Sequence, residues 1–354
     1  MKKIVLIGEI NNYDKPSGPG NVVKNLLIEF EKNNMNYIFI NSYCDNLIKK
    51  ILLFLKLFTL FFKRNLIINV HSFGYSVPLI VNFISKFNKK NKYFLTLHGV
   101  FSIEQKIEFG RDIDYKILKK EEKLISEFPN IICVSNYLKK YLDKNFKRNN
   151  NVYVVYNSID LGKIKKIPKK LDNKVIRLIS AGGISNRKSV LEMVNLILYL
   201  NKKNVNVSLE IYGGISNSRL YSEFNSIVSG INNIKYCGSI NFDELLDKYY
   251  SSHFLLALTK FDTFNLTVLE SMGQFTPAIV SNKAGVSELI CHGKNGYVVD
   301  LETNYFSNIE KVLDTVFDDN YYNICNNAND LAKKFSSRQM FERYIEVFEI
   351  NMKK

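Results

Sequence analysis

Apolar residues along this chain gather in short, nearly continuous runs, separated by longer stretches with apolar positions at helical spacing. In the first half the runs fall at residues 3–7, 37–40, 66–70, 93–97, 131–134 and 152–155. Such runs predict strands covered on both faces, because a buried strand needs apolar side chains at successive positions. Segments such as 21–33 and 78–87 lie between them and predict helices. A second series follows the polar, Lys-rich stretch 160–173, with strands at 175–181, 208–212, 234–236, 254–258 and 278–280. Its helices are expected at 191–202, 242–250, 265–274 and 287–291. Alternating strands and helices predict parallel sheets and the α/β class. A length of 354 residues exceeds one ordinary core, so two domains joined near 161–173 are expected. A last helix at 336–351 carries Phe341, Tyr344, Ile345 and Phe348 at helical spacing.

Composition narrows the class. With 46% hydrophobic and 13% aromatic residues the chain is globular, with no disordered tail. The five cysteines (Cys44, Cys133, Cys237, Cys291 and Cys325) are odd in number and widely spread. That pattern argues against a disulfide framework or a zinc site and for a reducing cytoplasm. The run after Met1-Lys2-Lys3 is ended by Glu9 and reads as a first strand, not a secretory signal.

The net charge of +15 is uneven: residues 1–166 hold 28 Lys and Arg against 14 Asp and Glu, whereas 167–354 hold 21 against 20. The first half therefore suits an anionic partner: nucleic acid, an anionic membrane face or a phosphorylated acceptor. A general Lys- and Asn-rich bias gives the same numbers. No basic motif interleaved with aromatics supports nucleic acid. Residues 47–64 are apolar, bounded by Lys49-Lys50 and Lys63-Arg64 and interrupted by Lys56. A helix over 51–62 is about 18 Å long, too short to span a bilayer. It either lies in the interface of an anionic membrane or is a buried helix of the first domain with its lysines reaching out.

Two stretches carry candidate chemistry. Ser180-Ala-Gly-Gly-Ile-Ser-Asn-Arg-Lys-Ser189 follows a strand and opens the next helix. Gly182, Arg187 and Lys188 there offer the free backbone N–H groups and the cations that a diphosphate needs. Farther on, Asp262 and Glu270 are separated by seven residues. The turn Thr263, Phe264, Asn265, Leu266 follows the first carboxylate, and a helix carries the second. A Pro-led run from Pro277, Ala284-Gly285, Glu288, Gly293 and Gly296 then follow in order. In the first half, His98 closes the strand Leu95-Thr96-Leu97, and His71 closes another; ligands of open α/β sheets gather at such strand ends. The loop Pro16-Ser-Gly-Pro-Gly-Asn21, with Gly18 and Gly20, opens a helix after the first strand. Asp112-Ile-Asp114 matches a metal-binding D-x-D, yet it sits in a charged, helix-like run (104–123) and reads as solvated surface, so no metal is implied.

The order of carboxylate, helix, strand and Gly-rich loops from 259 to 296 resembles the nucleotide-sugar site of GT-B glycosyltransferases, in particular the retaining group 1 or family 4 type. The resemblance implies two Rossmann-like domains facing a central cleft: an acceptor-binding domain over 1–165, completed by a crossing helix at 336–354, and a donor-binding domain over 170–335. It implies that Glu270 accepts hydrogen bonds from the ribose hydroxyls and that Asp262 stands near the reacting centre. Lys188 and Gly182 match the family's Gly-Arg … Lys-Gly pattern; Gly183 stands where that Arg is expected, and Arg187 substitutes from a neighbouring position. Thr263 and Asn265 replace usual glycines in the turn whose amides, with Phe264 and Leu266, face the donor. His98 contacts the donor sugar, and Gly18 and Gly20 lie in a loop that approaches donor or acceptor. The implied activity is metal-independent, retaining transfer from a UDP- or GDP-sugar to a glycan or lipid-linked acceptor in surface polysaccharide assembly, with no further cofactor. The place of action is cytoplasmic, extending to the inner membrane face. Two alternatives stay open: an epimerase on the same fold, and a catalytically degenerate module that binds a membrane surface or a sugar nucleotide.

Overall fold

A computed structural model describes residues 3–10, 18–71, 74–110, 112–148, 150–160, 164–165, 167–168 and 174–351. Most of the junction expected at 161–173, and Pro16 and Ser17 of the glycine loop, lie outside the described residues. The chain forms two compact units. Unit 1 comprises Met1–Ser102, Ile113–Ser158 and Ser337–Lys354; unit 2 comprises Ile103–Asp112 and Ile159–Ser336.

Unit 1 alternates strand and helix: β1 (Lys3–Gly8), α1 (Gly18–Lys32), β2 (Tyr37–Asn41), α2 (Leu47–Thr59), β3 (Leu66–His71), α3 (Ser76–Phe87) and β4 (Lys92–Leu97). After α4 (Phe101–Phe109) come α5 (Tyr115–Glu127), β5 (Asn130–Cys133), α6 (Asn136–Asn145) and β6 (Asn151–Val154). Its six strands pair in parallel in the order β2-β1-β3-β4-β5-β6. Ile4 to Ile7 are fully buried. Val22, Leu26 and Phe30 of α1 cover one face of the sheet. The final helix α13 (Ser337–Ile350) joins the same core through Met340, Phe341, Tyr344, Val347 and Phe348. Phe348 lies 5.0 Å from Phe94, centroid to centroid, and Phe341 meets Phe30 edge-on at 5.8 Å.

Unit 2 holds β7 (Ile176–Ala181), α7 (Val190–Lys202), β8 (Val207–Tyr212), α8 (Ser218–Val228), β9 (Ile234–Gly238) and α9 (Phe242–Tyr250). It continues with β10 (Phe254–Ala257), α10 (Leu266–Gly273), β11 (Ala278–Ser281), β12 (Tyr297–Val299), α11 (Tyr305–Asp314) and α12 (Tyr321–Ala332). Its parallel sheet runs β12-β11-β10-β7-β8-β9. The chain thus winds outward from β7 in one direction and then in the other, leaving a crevice beyond the carboxyl ends of β7 and β10, where ligands of doubly wound sheets bind.

The α/β reading holds, with every expected strand present within a residue or two of its bounds. Three details differ. The helix expected at 287–291 is a 3-10 turn at Gly285–Leu289, and the three-residue strand β12 carries too short a signal to be seen. The charged run 104–123 is two helices, and it is not all solvated: Glu108 and Glu121 are buried. Asp112 and Asp114 are exposed, and Asp114 caps α5 by accepting from the Lys116 amide at 2.8 Å.

Because α13 supplies the large rings that close the core of unit 1, Phe348→Ala is expected to cost about 3–5 kcal/mol. That is a large part of a domain's stability of roughly 5–15 kcal/mol. Urea unfolding followed by circular dichroism checks it; a loss below about 1 kcal/mol would show that unit 1 holds without the helix.

Candidate active site

The loop after β7 is fixed from several sides. Gly183 adopts φ +66 and lies so close to the next loop that a β-carbon would stand 1.9 Å from the Gly214 carbonyl oxygen. Its amide donates to the Tyr212 carbonyl at 2.8 Å, and the Ile184 amide donates to that of Gly214 at 2.9 Å. No side chain fits at 183, which explains the missing Arg there: the close packing of two loops requires glycine. On the opposite side, the Arg187 carbonyl accepts from Thr259 Oγ1 and the Lys260 amide, both at 2.9 Å.

A third support comes from Glu108 on α4. Its carboxylate accepts from Ser185 Oγ (2.6 Å), the Arg187 amide (3.0 Å), the Asn186 amide (3.3 Å) and Ser216 Oγ. Burial pushes this carboxyl up, but the two hydroxyls and two amides outweigh burial and hold it below its ordinary value. A buried, ionised Glu therefore clamps the loop that carries the cations. Sequence reading missed it, since nothing in a charged run marks the one acid that turns inward.

The two cations converge on one carboxylate. Lys188 Nζ lies 2.7 Å and Arg187 Nη1 3.3 Å from Asp262 Oδ2, while Asp262 Oδ1 accepts from the Phe264 amide at 3.1 Å. A β-carbon on Gly182 would meet Lys188 Cγ at 2.8 Å, so the bare backbone there lets the Lys188 stem lie across the loop. Burial pushes Asp262 up, but Lys188 and Arg187 more than offset it and the carboxyl is held low. Asn265 takes the left-handed conformation (φ 76) just before α10, at one of the two positions where glycine is usual. Asn tolerates that region better than most residues, and the other position, Thr263, needs no such backbone. Helix α10 opens at Leu266 with no side-chain cap, so its first-turn amides are offered to an anion. One turn on, half-buried Glu270 is pushed up to about 7 by burial, against the pull of Lys188. Among the described residues no hydrogen bond reaches its carboxyl. Unit 2 thus brings together Gly182, Arg187, Lys188, Asp262, Phe264, Asn265, Leu266 and Glu270 at the crevice beyond β7 and β10.

In unit 1, Gly18 and Gly20 stand at the start of α1. The strand-end histidines form a pair: His71 Nδ1 lies 2.8 Å from His98 Nε2 with the rings stacked at 5.1 Å. Tyr344 OH donates to Thr96 Oγ1, and Thr96 donates to Asn69 Oδ1 at 3.0 Å. That turns the Asn69 amide nitrogen to His71 Nε2, 3.5 Å away. His71 then carries its proton on Nδ1 and donates to His98, which holds its own on Nδ1. Burial pushes His98 down to about 3, and His71, with the added effect of His98, well below its usual range. Both imidazoles are neutral near pH 7.

Two outcomes test this geometry. Glu108→Ala, which strands four donors, is expected to destabilise unit 2 by about 2–3 kcal/mol in urea. Ser189 follows Lys188 in the left-handed region (φ 58), with its buried hydroxyl unpartnered among the described residues. Ser189→Gly is expected to gain about 1 kcal/mol, read as a higher urea midpoint, because it removes both costs.

Comparison with known proteins places the chain in a family and a fold. The family model "Glycosyl transferases group 1" matches residues 163–334, and "Glycosyltransferase Family 4" matches residues 36–163. An uncharacterized glycosyltransferase of Methanocaldococcus jannaschii is 24% identical over 267 residues, covering 73% of this chain and 70% of its own. An uncharacterized 41.2 kDa protein in the cps region of Klebsiella pneumoniae is 24% identical over 312 residues, 82% and 80% of the two chains. The crystal structure of Anabaena HepE in complex with UDP and glucose superposes with a TM-score of 0.72 at 13% identity, covering 99% of this chain and 100% of that one. The two family models abut at residue 163 and together take in every described strand but β1; this chain belongs to the group 1 and family 4 glycosyltransferases and has their GT-B fold.

Proposed function

We propose that the chain transfers a sugar from a nucleoside diphosphate sugar, held by unit 2, to a glycan or lipid-linked acceptor with retention of anomeric configuration, in surface polysaccharide assembly. One observation carries the donor reading: Lys188 and Arg187 converge on Asp262 at the crevice, with Glu270, pushed up to about 7 by burial, one turn into the helix that follows. The resemblance to a fold that binds UDP and glucose in HepE supports a UDP-sugar. The relative in a cps region supports the polysaccharide setting.

The chemistry follows from charge. Breaking the bond between the anomeric carbon and the diphosphate leaves negative charge on a phosphate oxygen. Two cations and the first-turn amides of α10 are preorganised to receive it, which is the largest lever such a site has. These side-chain cations take the part that a divalent metal plays elsewhere, so the reaction is proposed to need none. Asp262 keeps the cations in place and is engaged through both oxygens, which leaves it poorly suited as a nucleophile. Retention then proceeds by attack of the acceptor hydroxyl on the face the diphosphate leaves, its proton passing to the departing phosphate oxygen. Ionised Glu270 is assigned to accepting from the ribose diol, and neutral His98 to orienting a sugar hydroxyl.

Calorimetry with UDP-, GDP- and ADP-sugars in EDTA is expected to show one donor bound. Lys188→Ala should weaken it about 10–150-fold, the worth of one charge-assisted hydrogen bond. Absence of binding to any donor would overturn the reading. The pH dependence has a definite sign. Free Glu270 titrates near 7 and must lose its proton to accept from the diol, so affinity should rise about tenfold from pH 6 to pH 8 and then level. Glu270→Gln should flatten that profile and weaken binding; an unchanged slope would remove Glu270 from donor recognition.

A further inference from the structure

We infer that the outer face of α2, continued onto α3, is a docking surface for an anionic lipid bilayer. Helix α2 is apolar nearly all round, yet of its thirteen residues only Leu57 is buried. At 100° per residue, Ile48, Ile51, Phe54, Leu55 and Phe58 fall within an arc of about 120° on the side away from Leu57. All five are exposed. Exposed Leu52 extends the arc on one side, with Lys56 and Lys49 following it, and Lys50 lies about 40° beyond the other edge. This inverts the usual surface helix, which turns its apolar stripe inward.

The strip runs beyond one helix. Phe58 meets Phe62 at 5.5 Å, Phe61 stacks on Phe87 at 5.8 Å, and Phe87 lies 4.9 Å from Phe83. Phe62, Phe83 and Phe87 are 69%, 58% and 62% exposed. A contiguous apolar surface of this kind marks an interaction site. Charge selects the occupant. Residues 47–92 contain nine Lys and Arg and no Asp or Glu. Lys49 pairs with Asp45 and Lys86 with Glu127. Lys50, Lys56, Lys63, Arg64, Lys89 and Lys90 are exposed and have no acidic partner among the described residues. A second copy of this chain on the same face would set these cations against their own kind. An anionic bilayer accepts the aromatic rings at the headgroup boundary and the cations at the phosphates. No helix among the described residues is long and apolar enough to cross a membrane, so the contact lies in the plane of the surface.

The test is flotation of the full chain with vesicles of phosphatidylcholine, with and without phosphatidylglycerol. It uses no nucleotide and no acceptor, so its failure leaves the donor reading untouched. Binding is expected to be about tenfold or more stronger to the anionic vesicles and to weaken with salt. Phe54→Ser/Phe58→Ser/Phe62→Ser should lower it at least tenfold and, separately, Lys50→Glu/Lys63→Glu/Arg64→Glu about a hundredfold or more, with the melting temperature unchanged because these side chains are exposed. The chain has no Trp, so Phe58→Trp gives a single reporter whose emission should shift to the blue on binding. No flotation of the wild type, or flotation equal in both variants, overturns the proposal. So does a dimer that the Phe variant dissociates in the absence of lipid binding, which would assign the face to a second copy.

Discussion

Two cations on one carboxylate oxygen make a demanding arrangement. Lys188 and Arg187 are sequence neighbours on a short loop, and their like charges repel. At an effective dielectric near 20, a unit charge pair at 2.7 Å is worth about 6 kcal/mol before desolvation, and one at 3.3 Å about 5. Asp262 supplies both attractions, and burial, which on its own pushes the carboxyl up, is offset by them. Each member of the trio thus depends on the other two. Three ionised groups with a net charge of +1 sit at the crevice, balanced for themselves yet still attractive to a diphosphate.

Such a trio needs a rigid frame, and the rest of unit 2 supplies it. Gly183 against Gly214 ties the cation loop to the loop after β8, and the Arg187 carbonyl ties it to the loop after β10. Glu108 accepts the loop's amides from beneath. The donors gathered around that carboxyl favour its ionised form. Rigidity has a local cost: Ser189 and Asn265 hold left-handed backbone at the two helix starts that frame the site. Strain of this sort persists where the surroundings over-determine the geometry.

What the sequence made legible follows from the range of each signal. Strands and helices are local patterns, and the strand-end histidines and the Asp262–Glu270 spacing are local too. They were readable, as was the departure at Gly183, though not its reason, which lies in a loop thirty residues on. Glu108 meets Ser185 from 77 positions away, and His71 meets His98 from 27. Neither pairing leaves a mark in composition or period. The stretch 47–64 shows a different limit. Apolar periodicity says that a helix has a face, but not whether core or solvent lies against it; the burial of Leu57 and Leu60, with the other apolar residues left open, decides.

Charge along the chain now has a location. Of the surplus of 14 positive charges in residues 1–166, nine basic residues without a single acid lie in 47–92, which form α2, β3, α3 and the first residue of β4. The strand between those helices is buried, so the basic groups other than Lys92, which opens β4, are carried on the helices and the segments that follow them. Unit 2, by contrast, comes from a half of the chain that is almost balanced in charge. A general positive field therefore does not explain how its crevice would select an anion. Placement does: two fixed cations, one helix start without a cap, and one carboxyl that ionises near neutrality. The two kinds of electrostatics suit different partners. A diffuse, acid-free surface with exposed aromatics tolerates any anionic plane, whereas a part-buried trio fixed by its ion pairs and loop hydrogen bonds suits a ligand of defined shape.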